Sequence, residues 1–331
     1  MVKRIDDPMS KAKPEFTERI KALLKDEEDF MEFCEICKIP PQDTIRCNTI
    51  KISPEELKEK LEKKSWIIEQ PFEEYPEIMI VKSKLLPGEL GKSIEHILGY
   101  YYIQEISSMI PVLILNPNEN EFILDLAASP GSKTTQIGAK MKNKGSLIAN
   151  DVSIGRIGIL STNLQRCGVT NVIITQHPAE NLCKRLEGLK FRPDKILADV
   201  PCSGEGTIRS SQRTPQTFSE NLIKKLSSTQ KSIARNALKV LKVGGELVYS
   251  TCTHAPEENE AIISYLLENF PIEIQKINLP KNLKTRPGIT EWKSEKYNEE
   301  VKKCVRIYPQ DNDTEGFFIA HLKKLKEVEG K

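Results

Sequence analysis

Apolar residues near the start of the chain follow the repeat of a helix face. Phe16, Ile20, Leu23, Leu24, Phe30, Phe33 and Ile36 predict a helix over residues 15–38, stopped by Pro40-Pro41. Thr44 to Ile50 is rich in β-branched side chains and reads as a strand. Ser53-Pro54-Glu55-Glu56 then opens a helix: Ser53 is suited to the N-cap, Pro54 to the first helical position and Glu56 to the reciprocal capping position. That helix should reach about Lys64. Short strands near Trp66–Ile68 and Ile78–Val81 follow, making a small β-α-β-β module that ends near Gly91.

The rhythm then changes to short, continuously apolar runs separated by helical patterns. The runs are Phe122–Leu126, Ser146–Ala149, Asn171–Thr175, Lys195–Val200 and Gly245–Ser250. Strands that are apolar throughout are buried on both faces, so an α/β fold is expected, with a mostly parallel sheet and helices on both sides. Glu315–His321 reads as a further strand, antiparallel to the rest. Residues 281–303 are polar and charged and read as a surface loop. Two domains are expected, 1–92 and 93–331, and a chain of 331 residues is long enough for both. No internal repeat or low-complexity segment interrupts this pattern.

Composition narrows the class. With 38% hydrophobic and 29% charged residues, a folded globular chain is expected. No apolar run approaches the ~20 residues of a membrane helix. The first thirteen residues contain no stretch suited to a signal peptide, so the cytoplasm is the expected compartment and a monomer the expected state. Net charge is +2, which argues neither for nor against nucleic acid. Lys51, Lys58, Lys60, Lys63, Lys64, Lys82, Lys84 and Lys92 form either a solvated face or an RNA surface. Among eight cysteines, Cys34 and Cys37 form a C-x-x-C with Cys47 ten residues on. No fourth ligand follows at motif spacing, so no metal is expected and these thiols should pack as small apolar groups.

Ligands of parallel sheets bind beyond the carboxyl ends of the strands. The first long-domain strand ends in Asp125-Leu-Ala-Ala-Ser-Pro-Gly-Ser-Lys-Thr-Thr135. This turn of small residues lets a ligand approach the backbone, and the helix that follows aims its first amides at the same place. Twenty residues after Gly131, the next strand ends in Asp151, placed to accept hydrogen bonds from the ribose hydroxyls of an adenosine. With one glycine in the turn, a dinucleotide fingerprint fits less well. The fourth strand ends in Asp199-Val-Pro-Cys202 and the fifth in Thr251-Cys252-Thr253. Both thiols therefore reach the ligand edge.

The segments Asp125–Gln136, Asp199–Thr207 and Tyr249–Glu260 resemble signature motifs of the Nop/Sun family of RNA (cytosine-5) methyltransferases. Tyr101–Ser108, Arg306–Pro309 with Gly316–Ala320, and Arg46–Thr49 with Ser53–Glu56 extend the resemblance over most of the chain. It implies a class I Rossmann-like methyltransferase domain preceded by a small α+β RNA-binding module resembling an RNA-recognition motif. It implies S-adenosylmethionine as cofactor, contacted by Ala127, Ala128, Ser129, Pro130, Gly131, Ser132, Lys133, Asp151 and Asp199. Arg156 matches an arginine that follows the ribose-binding acid, with a role that is either cofactor contact or structural.

The resemblance also assigns the thiols: Cys252 as nucleophile, Cys202 as the group that helps release product. Carbon 5 of cytosine is a poor nucleophile. A thiolate adding at carbon 6 makes an enamine that can take the methyl group, and an acid/base group must later help remove the carbon-5 proton and the thiolate. Asp199 is suited to the N3/N4 edge of the base, and Lys133 to neutralising that carboxylate and easing thiol ionisation. One departure stands out. Pro178 takes the place of an Asp that contacts the adenine amino group in the family; Glu180 or a backbone carbonyl is left to substitute, and His177 reads equally as a packed surface residue.

A DNA methyltransferase would use Cys202 as nucleophile, and an RNA-binding factor without catalysis would need neither thiol. The joint presence of Lys133, Asp199, Cys202 and Cys252 favours the RNA enzyme. Its substrate is expected to be tRNA in preference to rRNA.

Overall fold

The computed structural model describes residues 7–328, so Met1 to Asp6 of the segment read for a signal peptide lie outside the described residues. The chain opens with two helices, α1 (Pro14–Leu23) and α2 (Glu27–Cys37), where the apolar repeat predicts one. The break has a local cause. Asp26 is extended, and its side chain accepts the Asp29 amide at 2.9 Å, capping a new helix. Phe16, Ile20, Phe33 and Cys37 pack against Ile208, Phe218, Ala255 and Tyr308 of the large domain, so these helices belong to its core.

The small module contains β1 (Thr44–Cys47), α3 (Pro54–Glu62), β2 (Ile68–Glu69), β3 (Ile78–Val81), the one-turn helices α4 (Glu89–Lys92) and α5 (Ile94–Ile97), and β4 (Tyr101–Ile103). The capping box at Ser53 and Glu56 forms as expected. The sheet is antiparallel in the order β2-β3-β1-β4, with Ile45 opposite Ile103. Its last strand lies beyond the expected division at residue 92. That pairing is long-range, and no local pattern around Tyr101 carries it. The strand expected to reach Ile50 ends at Cys47, because Asn48 turns away to donate to the carbonyls of Gly99 and Cys167 at 2.8 and 2.7 Å.

The large domain runs α6 (Ile106–Leu115), β5 (Phe122–Asp125), α7 (Ser132–Lys140), β6 (Ser146–Asp151), α8 (Ile154–Cys167), β7 (Val172–Gln176), α9 (Ala179–Gly188) and β8 (Lys195–Asp199). It continues through α10 (Thr214–Thr217), α11 (Glu220–Val240), β9 (Glu246–Thr251), α12 (Glu260–Asn269), β10 (Ile272–Ile274) and β11 (Arg286–Pro287). The hairpin β12 (Glu291–Trp292) and β13 (Glu295–Lys296), then β14 (Val305–Ile307), α13 (Pro309–Asn312) and β15 (Phe317–Lys324), complete it.

Strands β7-β6-β5-β8-β9 are parallel, and β15 joins β9 antiparallel, as expected of the closing segment. Alternate residues serve opposite faces. Leu124, Ile196 and Leu247 pack under α9, α11 and α12, whereas Ile123, Leu197 and Val248 pack under α6 and α7. This double burial explains the continuous apolar runs. The chain builds outward from β5 to β7, then returns with β8 on the other side of β5. The β5/β8 junction is therefore a topological switch point, where a crevice opens at the carboxyl ends.

Residues 281–303 are not simply a surface loop. β11 pairs with β14, and Trp292, Tyr297 and Val301 are buried. The charges that suggested exposure are used internally: Arg286 binds Asp29 of α2 and donates to Asp311 at 2.7 Å. No helix among the described residues is long and apolar enough to cross a membrane.

Candidate active site

Gly131 caps α7 with φ of +105°, and a Cβ there would stand 3.1 Å from Leu160 Cδ1. Glycine meets both constraints, and the turn Ala127–Ser132 stays small and close to the sheet edge. The buried Asp151 closes the turn from β6: its carboxylate accepts the amides of Ser129 at 3.3 Å and Ser153 at 3.0 Å. Each oxygen has a second lone pair to offer. Arg156 donates to the Ser129 carbonyl at 2.6 Å, while Ser129 Oγ donates to the Arg156 carbonyl at 2.8 Å. Arg156 Nη2 also lies 3.5 Å from Asp151 Oδ2, so its contacts hold both the turn and the acid at the end of β6.

The region around Pro178 is organised by the buried Asn150. Its amide donates to the carbonyls of Leu126 and His177, and its oxygen accepts from Thr175 and the His177 amide. The His177 ring meets Arg185 at 3.1 Å, and Pro178 caps α9 without a side-chain bond.

At the β5/β8 crevice, Lys133 Nζ lies 2.8 Å from Asp199 Oδ2 and donates to Ser108 Oγ at 2.8 Å. Its ammonium also sits 5.2 Å from the centre of the Phe317 ring. The other Asp199 oxygen accepts from Ser250 Oγ at 2.8 Å. Behind them, burial pushes the Asp125 carboxyl up to about 7, with Thr134 donating to one oxygen at 2.7 Å.

The two thiols meet. Cys202 Sγ and Cys252 Sγ are 3.2 Å apart. The contact with Cys252, followed by burial, pushes the Cys202 thiol well up. The loop carrying Cys202 is pinned by Glu258, which accepts the Ser203 amide at 3.1 Å and the Gln230 amide at 2.6 Å. Gly206 donates to the Cys252 carbonyl at 2.9 Å, and a Cβ on Gly206 would lie 2.4 Å from the Gly316 carbonyl oxygen. Close approach of three chain segments thus requires glycine there.

A cavity of about 360 Å³ opens on this group. Lys133, Asp199, Cys252, Ser108 and Phe317 line it from the large domain, and Pro41, Thr44, Ile103 and Gln104 line it from the side of the small module. The sequence reading missed Ser108, Ser250, Glu258 and Phe317 as individual site residues. Ser108 and Phe317 lie in the resembling segments Tyr101–Ser108 and Gly316–Ala320, and Ser250 and Glu258 in the motif Tyr249–Glu260, but none was singled out there. Of the lysines read as either a solvated face or an RNA surface, several have partners: Lys51 donates to the carbonyls of Leu98 and Arg166, and Lys63, Lys64 and Lys82 pair with Glu59, Glu95 and Glu69.

The chain matches the family described as 16S rRNA methyltransferase RsmB/F over residues 112–323, and the N-terminal domain of 16S rRNA methyltransferase RsmF over residues 13–106. The second match ends just past β4, in agreement with the small sheet. A tRNA (cytosine(49)-C(5))-methyltransferase of Pyrococcus abyssi is 40% identical over 297 residues, covering 90% of this chain and 93% of the relative. A ribosomal RNA small subunit methyltransferase F of Psychromonas ingrahamii is 38% identical over 316 residues, covering 94% of this chain. The chain spans only 63% of the length of that relative. The crystal structure of NSun6 from Pyrococcus horikoshii, solved with SFG, superposes with a TM-score of 0.81 at 26% identity, covering 95% of this chain and 99% of that one. With the paired thiols, the Lys133–Asp199 couple and the small-residue turn on one sheet edge, the chain belongs to the RsmB/F methyltransferase family, within the Nop/Sun group that its motifs resemble.

Proposed function

We propose that the chain transfers the methyl group of S-adenosylmethionine to carbon 5 of a cytosine in RNA, through a covalent intermediate on Cys252. The observation that carries this reading is the 3.2 Å thiol pair beside the Lys133–Asp199 couple. In it, the Cys252 thiolate bonds to carbon 6, carbon 5 takes the methyl group, and loss of the carbon-5 proton expels the thiolate. Asp199 takes the N3/N4 edge of the base while Lys133 holds its other side. Once Cys252 is bonded to the base, Cys202 is the group placed to take the carbon-5 proton as a thiolate, and the carbon 6–sulfur bond breaks with its electron pair going to Cys252. The turn 127–133 and the α7 amides take the methionine end of the cofactor, and Asp151 takes the ribose hydroxyls.

The small module contributes one wall of the cavity and is the surface on which we place RNA. A single chain supplies both thiols, the Lys–Asp couple and that wall, which fits a monomer; eight free cysteines fit the cytoplasm. We favour tRNA, because a tRNA (cytosine(49)-C(5))-methyltransferase is matched at 40% identity over 297 residues. The match of residues 13–106 to the RsmF N-terminal domain supports rRNA as the second reading.

Transfer of tritiated methyl groups to unmodified tRNA and to 16S rRNA transcripts tests both. Label in tRNA is expected. Label in rRNA alone would overturn the choice of substrate, and label in neither would overturn the activity.

A further inference from the structure

We infer that Arg46, on the small module, is a positioning residue that fixes the first turn of α7 and, through it, Lys133. Arg46 is buried on β1, but its guanidinium leaves the module. Nη1 donates to the Ser132 carbonyl at 2.7 Å and also binds the Gln104 amide oxygen. Nη2 donates to Thr135 Oγ1 at 2.8 Å, and that hydroxyl donates onward to the Ser132 carbonyl at 3.0 Å. Ser132 and Thr135 flank Lys133 in sequence. A second arm runs through Gln104, whose amide donates to the Ser108 carbonyl at 3.2 Å; the hydroxyl of that same serine accepts from Lys133. Both the backbone around Lys133 and one of its side-chain partners therefore hang on one guanidinium.

The chemistry is costly for a mere docking contact. The acceptors around Arg46 are a carbonyl, an amide and a hydroxyl, its Nε is buried without a partner, and burial pulls its pKa down to about 10. Docking has other anchors: Asn48 binds the Cys167 carbonyl and Lys51 the Arg166 carbonyl, both at the end of α8. Arg46 alone among these three reaches the cofactor turn. A planar fork spanning two acceptors, which a lysine cannot reproduce, holds that turn in place.

This inference rests on the reading that the 127–133 turn holds S-adenosylmethionine. Calorimetric titration of S-adenosylmethionine into the full chain, without RNA, tests it alongside melting temperatures. Arg46→Met should bind about tenfold more weakly, as expected for losing charge-assisted hydrogen bonds that order the turn. Arg46→Lys should fail to rescue. Asn48→Ala, at the same junction, should stay within about twofold of the parent even if it melts earlier. Parent-like affinity in Arg46→Met, or an equal loss in Asn48→Ala, overturns the inference. If Arg46→Met does not fold, Thr135→Val decides: about threefold weaker binding supports the inference, unchanged binding overturns it. Failure of the parent chain to bind sinks the reading of the turn, and the inference with it.

Discussion

The two ends of the large sheet both carry cavities, and the larger one lies at the wrong end for chemistry. At the amino ends of β8 and β9, a cavity of about 720 Å³ is lined by Asp194, Lys195, Lys242, Glu246 and His321. Its charges close on one another: Lys195 lies 3.1 Å from Glu121, Lys242 lies 2.8 Å from Asp194, and His321 Nε2 meets Glu246 at 3.0 Å. At the carboxyl ends, a cavity half that size is lined by Lys133, Asp199 and Cys252, whose sulfur touches that of Cys202. Helices return antiparallel to the strands they connect, so their N-termini, and partial positive charge, gather at the carboxyl edge. The amino edge receives helix C-termini instead; the carbonyls of Lys239 and Leu241 are capped there by the buried Lys324. Strand direction, not volume, decides which end can bind an anionic or methyl-donating ligand.

Four substitutions break or sharpen this contrast. Cys252→Ala should abolish both methylation and any covalent protein–RNA band, since no other group occupies the attacking position. If it gives a trapped band while Cys202→Ala gives none, the two thiols have exchanged roles. Cys202→Ala should methylate once and then persist as an adduct through denaturing electrophoresis, because the proton transfer that accompanies release is lost. Asp151→Ala should weaken S-adenosylmethionine by ~1–3 kcal/mol, the cost of unpairing ribose hydroxyls and of freeing the Ser129 amide. Unchanged affinity by calorimetry would remove Asp151 from the site. At the other end, Lys195→Met should leave cofactor affinity and turnover within about twofold but lower stability by ~1–3 kcal/mol, as Glu121 and the Asn116 carbonyl lose their partner. A large fall in kcat there would mean that the amino-end cavity takes part in the reaction.

The legible parts of this protein are the local ones. Asp125–Lys133 announces its strand, turn and helix start through composition alone, and Cys202 and Cys252 follow strands whose apolar runs are unmistakable. The helix break at Asp26 was legible too, in an N-cap residue ahead of an acidic first turn, but the apolar repeat on either side masked it. Residues 281–303 misled because charge usually marks exposure, whereas Arg286 spends its charge on Asp29, far away in the chain. Among the lysines of the small module, Lys51 serves as a junction anchor, which its sequence neighbourhood does not show.

What the sequence determined by itself is therefore the parallel sheet, the small module's core and the arrival of two thiols and a small-residue turn at strand ends, because periodicity and turn chemistry act over a few residues. Tertiary structure alone decided that the two sulfurs touch, that β4 completes the small sheet from beyond its expected border, and that Arg46 reaches the turn bearing Lys133. Each of these contacts joins residues at least 50 apart in sequence. They depend on strand register and domain docking, and those are set by the packing of whole faces, which no local pattern of residues encodes.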